Sequence, residues 1–93
     1  MKIHTDTIFQ KNSEIISSKI DDEVVMMSVE EGKYFGLDPV GSIIWELLDA
    51  PSSINMILPQ LLDQFETTKE QCEKDCLMFF KDMLKQKTLI IVP

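Results

Sequence analysis

Gly-Lys-Tyr-Phe-Gly-Leu-Asp-Pro, at residues 32–39, is the stretch in which the chain changes from β-strand to helical patterning. Gly32 can take the positive φ of a tight turn. Lys33 to Leu37 form a short β-prone run with an internal glycine, which often marks the close approach of another backbone. Asp38 and Pro39 are typical of the cap and the first position of a helix. We therefore expect a short last strand followed directly by the first helix.

Two β-prone runs precede this stretch. Residues 14–20 and 24–29 are rich in β-branched side chains, and Asp21-Asp22 between them supplies the chemistry of a tight turn. Together with residues 33–37, these runs predict a three-stranded antiparallel meander. The acidic residues 21–23 lack the spaced ligands of a calcium site, so we interpret them as a solvated hairpin turn.

From residue 38 onward the apolar residues recur at helical spacing. The apolar face of the first helix consists of Val40, Ile43, Ile44, Leu47 and Leu48. This helix is predicted to end at Ala50, before the second opens at Ser52 or Ser53. An interior proline removes a backbone donor, so either Pro59 kinks the second helix or the helix begins near Pro59 after a loose first turn. We favour one kinked helix.

The third helix has the clearest start signal. Thr67 as N-cap and Glu70 at N3 fit a reciprocal capping box. Its apolar stripe consists of Cys72, Cys76, Phe79, Phe80, Met83 and Leu84. The β-prone tail at residues 88–92 is expected to return to the sheet as a wing-like strand. Strands that precede helices in this way predict an α+β fold.

The composition bounds the class of protein and its partners. A chain of 93 residues with 44% apolar residues suits one hydrophobic core, and we expect residues 1–93 to form one domain. The formal net charge of −7 argues against nucleic acid and anionic membranes as partners, because both repel an acidic surface. The first residues lack the apolar region of a signal peptide, which predicts a cytoplasmic protein.

The sequence contains no recognisable pairing of a nucleophile with a base. The only histidine, His4, lies in a terminus that we expect to be frayed, and phosphate-binding and metalloprotease motifs are absent. Cys72 and Cys76 lie four residues apart, but a zinc site needs four ligands and this helical spacing suits a disulfide poorly. We interpret both as buried core thiols, and we predict no enzymatic activity, metal or cofactor.

The run at residues 33–37 would leave one edge of the meander open. Such an edge is a template onto which an extended peptide can add as a further strand. The Met and Phe side chains of the third helix would form an adaptable wall, and Asp75 and Asp82 beside them would meet a cationic or hydroxyl group. The same residues also fit simpler roles, with Lys33 protecting the edge, the aromatic residues in the core and both carboxylates in solvent.

The pattern also resembles a known family. The matching residues are Gly32 to Asp38, Gly41, Ile44-Trp45 and Leu47-Leu48, and in the third helix Asp75, Phe79-Phe80 and Leu84. They resemble the PqqD-like family, the recognition domains of pathways that make ribosomally synthesised and post-translationally modified peptides. The resemblance extends over residues 20–92.

The resemblance implies a winged-helix-like α+β fold, with a three-stranded antiparallel sheet followed by three helices. Members bind the leader segment of a precursor peptide as a strand added beside the third strand and against the third helix. They present it to a modifying enzyme or a leader peptidase, as in lasso-peptide pathways. Carried over by position, the residues that contact the peptide are Lys33, Tyr34, Phe35, Gly36, Leu37, Asp75, Cys76, Phe79 and Met83. Asp82, predicted above from its place beside the apolar stripe, completes the set of candidate peptide-binding residues.

Two departures and two alternative functions accompany this resemblance. Pro59 interrupts the second helix, and Gln86-Lys87 replaces the glycine common before the final strand. A winged-helix regulator that binds DNA is disfavoured by the acidic charge. A homodimer that pairs two copies through the edge at residues 33–37 uses the same surface as a peptide would.

Overall fold

The computed structural model describes residues 3–93, in which five strands and three helices form an α+β fold. The strands are β1 (Phe9–Lys11), β2 (Ile15–Ile20), β3 (Glu23–Ser28), β4 (Lys33–Gly36) and β5 (Leu89–Ile91). The helices are α1 (Pro39–Leu47), α2 (Ile54–Gln64) and α3 (Lys69–Lys85). The predicted fold class is confirmed, and β1 is an element that the sequence did not predict.

The predicted antiparallel meander is confirmed, with the strand order β2-β3-β4. Asp21 and Asp22 join β2 to β3 with φ angles of 49° and 68°, as a type I′ turn requires. Gly32 precedes β4 with a φ of 65°, which suits a residue without Cβ. These turns leave β4 at one edge of the three-stranded sheet.

The C-terminal tail pairs with a different partner from the expected one. β5 runs antiparallel to β1 in a separate two-stranded sheet, so the prediction that the tail returns to the meander is wrong. The anchor of this second sheet is Phe9, which is fully buried and stacks on Phe80 of α3 with ring centroids 4.6 Å apart. Burial of this aromatic pair holds β1 against the C-terminal half of the chain, where β5 meets it.

The segment before β1 is ordered, so the expectation of a frayed terminus at His4 is wrong for residues 3–7. The backbone N–H of Thr7 donates to the carbonyl of His4 at 3.1 Å, which closes a turn. The Asn55 side chain of α2 donates to Asp6 Oδ1 at 2.6 Å, and Ile3 is buried. These contacts fasten the segment to α2.

The start of α1 follows the predicted chemistry, whereas its buried face is rotated. Asp38 is the N-cap and Pro39 is the first helical residue. Trp45 is buried although it was outside the predicted apolar face, and Val40 is 42% exposed although it was inside that face. The Trp45 indole donates to Ser17 Oγ in β2 at 3.3 Å, which fixes α1 on the inner face of the meander.

The second helix continues through its proline. α2 begins after Ser53, whose Oγ accepts a hydrogen bond from Met56 N at 3.2 Å, and it contains Pro59 without a break. The prediction of one helix is therefore confirmed. Pro59 is exposed, so its ring does not crowd the core.

The start of α3 differs from the predicted capping box by one residue. Thr68, rather than Thr67, is the N-cap, and its Oγ1 accepts a hydrogen bond from Gln71 N at 3.1 Å. This shift makes Lys69 the first helical residue, so Glu70 no longer occupies the N3 position that a capping box needs.

The end of α3 is a Schellman motif built without glycine. The N–H of Thr88 donates to Met83 O at 3.0 Å and that of Lys87 donates to Leu84 O at 3.1 Å. Lys87 has a φ of 63°, the left-handed conformation that glycine usually supplies at this position. At the departure noted for Gln86-Lys87, Lys87 therefore takes the place of the usual glycine, and the turn that ends the helix is retained.

The hydrophobic core lies between the meander and the helices. Met26 of β3, Ile54 of α2 and Phe80 of α3 are each 0% exposed. One face of α3 thus packs inward, and the neighbouring face approaches the edge strand β4.

Candidate functional site

A groove of about 440 Å³ lies between β4 and the C-terminal half of α3. Its lining residues are Tyr34, Phe35, Gly36, Leu37, Asp38, Phe79, Asp82, Met83 and Gln86. Both elements contribute side chains to it, and so do Leu37 and Asp38 at the turn from β4 into α1. The volume is within the range of pockets that bind small molecules and side chains.

The outer edge of β4 offers backbone hydrogen-bonding groups to the groove. Leu37 N donates to Val24 O at 2.9 Å, so Leu37 faces β3. In an antiparallel pair the residues alternate in direction along the strand. Phe35 therefore also directs its N–H and C=O towards β3, while Tyr34 and Gly36 direct theirs outward. No further strand pairs with this edge among residues 3–93.

The helix side of the groove is apolar and firmly supported. Phe79 is half-buried and meets Phe80 edge to face, with centroids 5.7 Å apart and planes at 63°. Met83 is only 4% exposed, and its Sδ accepts a hydrogen bond from the Thr88 hydroxyl at 3.1 Å. A peptide in the groove would therefore meet side chains that the core already holds in position.

Two carboxylates give the groove an acidic character. Asp38 Oδ1 accepts the N–H of Gly41 at 2.7 Å as the cap of α1, and Asp82 lies on the exposed side of α3. Neither takes part in the ion pairs found among residues 3–93. The groove lining contains no lysine, so a neutral or cationic ligand suits it better than an anionic one.

The structure brings most of the sequence-predicted site residues together. Seven of the ten line the groove, namely Tyr34, Phe35, Gly36, Leu37, Phe79, Asp82 and Met83. Lys33 is exposed at the start of β4, outside the lining. Sequence reasoning missed Asp38 and Gln86, the first because it was read only as a helix cap and the second because it lies outside the apolar stripe.

The other two predicted residues, Asp75 and Cys76, lie at a second pocket further towards the N-terminus of α3. This pocket of about 270 Å³ is lined by Val40, Ile44, Leu61, Phe65, Glu66, Thr67, Cys72, Asp75 and Cys76. Asp75 accepts a hydrogen bond from Gln71 Nε2 at 2.9 Å. Asp82 is seven positions after Asp75 in the helix, a rise of roughly 10 Å.

The two thiols at this second pocket belong to the core. Cys72 and Cys76 are free and buried, which confirms the prediction from their spacing. Burial raises the pKa of both thiols. Together with the adjacent Cys72 thiol, burial raises the pKa of Cys76 to about 12. Both are therefore protonated at neutral pH and lack the thiolate character of a reactive cysteine.

The family described as Coenzyme PQQ synthesis protein D (PqqD) matches residues 23–89, from the start of β3 to the start of β5. The chain belongs to the PqqD family. The matched range includes β4 and α3, the two elements that form the groove, and the resemblance noted in the sequence is confirmed.

Two solved structures are similar to this PqqD-family chain. One is TbiB1 in complex with the TbiA(beta) leader peptide, with 31% identity, a TM-score of 0.82 and coverage of 86% of this chain and 93% of that one. The other is lasso peptide synthetase B1 complexed with the leader peptide, with 16% identity, a TM-score of 0.74 and coverage of 88% and 96%. Because the identity is only 16%, the second structure supports the fold alone. No curated protein matches the chain.

Two further properties concern the part of the chain that the structure describes. Within residues 3–93 no helix is long and apolar enough to cross a membrane. No group of three or more His, Cys, Asp or Glu side chains in the same range is arranged to hold a metal ion.

Proposed function

We propose that this PqqD-family protein binds the leader segment of a ribosomally synthesised precursor peptide and catalyses no reaction on it. The observation that carries the proposal is the outward-facing backbone of Tyr34 and Gly36, which borders the groove in front of α3. The leader adds to β4 as a fourth antiparallel or parallel strand. The whole chain acts as one recognition domain.

In strand addition, the backbone and the side chains of the binding protein make different contributions to recognition. Hydrogen bonds to Tyr34 and Gly36 supply affinity that does not depend on the leader's sequence. Successive side chains of an added strand point to opposite faces, so alternate leader residues enter the groove. There they meet Leu37, Phe79 and Met83, whose apolar surface selects the side chains that fit.

The two groove carboxylates and the three predicted residues outside the groove have smaller roles in this proposal. Asp82 and Asp38 are available to hydroxyl or cationic groups of the leader, and the net charge of −7 favours the same kind of ligand. Lys33, Asp75 and Cys76 stay predictions as peptide contacts, since none of them lines the groove.

The biological setting that we propose is a lasso-peptide pathway. Its support is the similarity to TbiB1, which is described with a leader peptide, and the shared fold of a lasso peptide synthetase B1. In that setting the protein holds the leader in the cytoplasm and presents the rest of the precursor to a modifying enzyme or a leader peptidase.

A homodimer is the second candidate, because the open edge of β4 that would accept a leader would also accept a second copy of the chain. Sedimentation equilibrium over a wide concentration range separates the two functions. A protein that stays monomeric while it binds leader excludes the dimer. If addition of leader dissociates a dimer, the leader and the second copy compete for the same edge of β4.

The decisive experiment combines a leader titration with a matched pair of proline variants. The probes are the TbiA(beta) leader peptide and the leader of a short precursor identified among the neighbouring genes. Gly36→Pro removes an outward donor on β4 and leaves the bonds to β3, whereas Lys19→Pro makes the same change on the outer edge of β2. We expect the first variant to lose about tenfold or more in affinity and the second to bind as the wild type does.

Thermal unfolding of both variants accompanies the titration, because each must be folded when it is measured. Absence of binding by the wild-type protein to either leader would overturn the proposed function. Equal losses in the two variants would also contradict it, because they would separate binding from the edge of β4.

A further inference from the structure

Gly41 lies beneath the groove without lining it. It is the third residue of α1 and is buried, and its N–H donates to the capping carboxylate of Asp38 at 2.7 Å. Its backbone has no positive φ that would call for glycine. The reason for a glycine at this position must therefore be space.

The space around Gly41 is measured by the contacts that a Cβ atom would make. Such an atom would lie 3.0 Å from Cε1 of Phe79, 3.2 Å from Oδ1 of Asp38 and 3.5 Å from Cβ of Leu37. The first two distances are shorter than ordinary van der Waals contact, so a neighbour would have to move. All three neighbours line the groove.

The direction of that movement follows from the packing of Phe79. Behind its ring stands Phe80, which is fully buried and stacked on Phe9 in the core. In front of the ring is the open groove. A methyl group at position 41 would therefore push the Phe79 ring into the volume that a peptide side chain needs.

The helix itself gains nothing from glycine at this place. Glycine is the poorest helix former after proline, and alanine is the best. A glycine inside a helix with ordinary φ therefore lowers stability, and sites that do so often serve binding.

We infer that Gly41 is a positioning residue, which sets the depth of the leader-binding groove by leaving room for the Phe79 ring. The inference rests on the proposed function for its biological meaning. The displacement of the ring is a property of the free protein and stands independently of it.

Affinity of the leader for a set of four proteins tests the inference. These are the wild type, Gly41→Ala, Phe79→Leu and the double variant, titrated with the two leaders named above. We expect Gly41→Ala to bind about tenfold more weakly or worse, because the displaced Phe79 ring would occupy volume that a leader side chain needs. In the Phe79→Leu background, where the shorter side chain leaves room for the methyl group, the same exchange should change affinity by less than about twofold.

A structure of free Gly41→Ala provides the second measurement. We expect the Phe79 ring to move towards Tyr34 and Gly36, with a melting temperature equal to or above that of the wild type because alanine favours the helix. An unmoved ring overturns the inference whatever the binding data are. An equal loss of affinity in both backgrounds also overturns it, since the effect would then bypass Phe79.

The two measurements separate this inference from the function on which it rests. If no leader binds the wild type while the ring moves as expected, the proposed function fails and the positioning role of Gly41 remains. If the wild type binds and Gly41→Ala binds equally well, the function stands and the inference fails.

Discussion

The hydroxyl of Ser42 in α1 accepts a hydrogen bond from the backbone N–H of Val24 in β3, with an Oγ–N distance of 2.8 Å. The same hydroxyl donates to the carbonyl of Leu37 at 3.2 Å, and Ser42 is fully buried. One side chain therefore links the first helix to the middle strand and to Leu37, the residue that follows β4. Since Leu37 lines the groove, this link also fixes one wall of the candidate site.

Ser42→Ala should destabilise the protein by about 1–3 kcal/mol, because it leaves the buried N–H of Val24 without a partner. Urea unfolding followed by circular dichroism measures the change in the free energy of unfolding. Ser18→Ala on the exposed strand β2 is the control, and it should alter stability by less than about 0.5 kcal/mol. Equal effects of the two substitutions would contradict the importance of this link.

Lys87→Gly should stabilise the protein, since Lys87 occupies a left-handed conformation with a φ of 63°. That conformation costs a residue with Cβ about 1 kcal/mol or more, which glycine avoids. The ion pair lost with Glu31 is long, at 3.7 Å, and exposed, so it offsets little of the gain. The midpoint of urea unfolding should rise.

The reverse substitution is available in the same chain. Gly32 has a φ of 65° with open space around it, so Gly32→Ala should lower stability by about 1 kcal/mol through backbone strain alone. Opposite signs for the two variants are expected. A midpoint that falls in Lys87→Gly would mean that the lysine side chain matters more than its backbone conformation.

Local signals were sufficient for most of the fold. Asp21-Asp22 and Gly32 specify the turns of the meander, and Asp38 with Pro39 specifies the start of α1, because each acts within a few residues of itself. The pairing of β1 with β5 has no such signal. These strands have three residues each and lie at opposite ends of the chain, and the stacking of Phe9 on Phe80 brings them together.

The same distinction applies to the candidate site. The open edge at β4 and the apolar stripe of α3 were readable from the sequence, and their meeting at Phe79 and Met83 required the fold. Helical geometry then separated Asp82, at the groove, from Asp75, at the second pocket. A seven-residue spacing places both carboxylates on one flank of α3. It does not predict which of them lines the groove and which lines the second pocket.

The buried thiols predict a loss of stability at alkaline pH. Burial raises the pKa of Cys76 from 9.0 to about 12, so the folded state keeps a proton that the unfolded state releases. The stabilisation is complete below pH 9.0 and is lost as the pH rises towards 12. Cys76 contributes a slope of about 1.4 kcal/mol per pH unit within that window.

Cys76→Ala provides the comparison for this slope. All other ionisable groups are the same in both proteins, so the difference in slope isolates the thiol. We expect urea unfolding between pH 9.0 and about pH 11 to show a shallower decline for the variant. Parallel declines would mean that Cys76 ionises as readily in the folded state as in the unfolded chain.

Phe79→Ala should weaken leader binding by about tenfold to a hundredfold, because a half-buried aromatic residue in the centre of a binding groove is the usual kind of hot spot. Its neighbour Met78 is 71% exposed and does not line the groove, so Met78→Ala removes a large apolar side chain from the same helix without touching the peptide. Calorimetric titration of both variants with one leader measures the difference, at a temperature where thermal unfolding confirms that each is folded. A loss of affinity that is equal in the two variants would trace the effect to α3 as a whole, and would remove Phe79 from the binding surface.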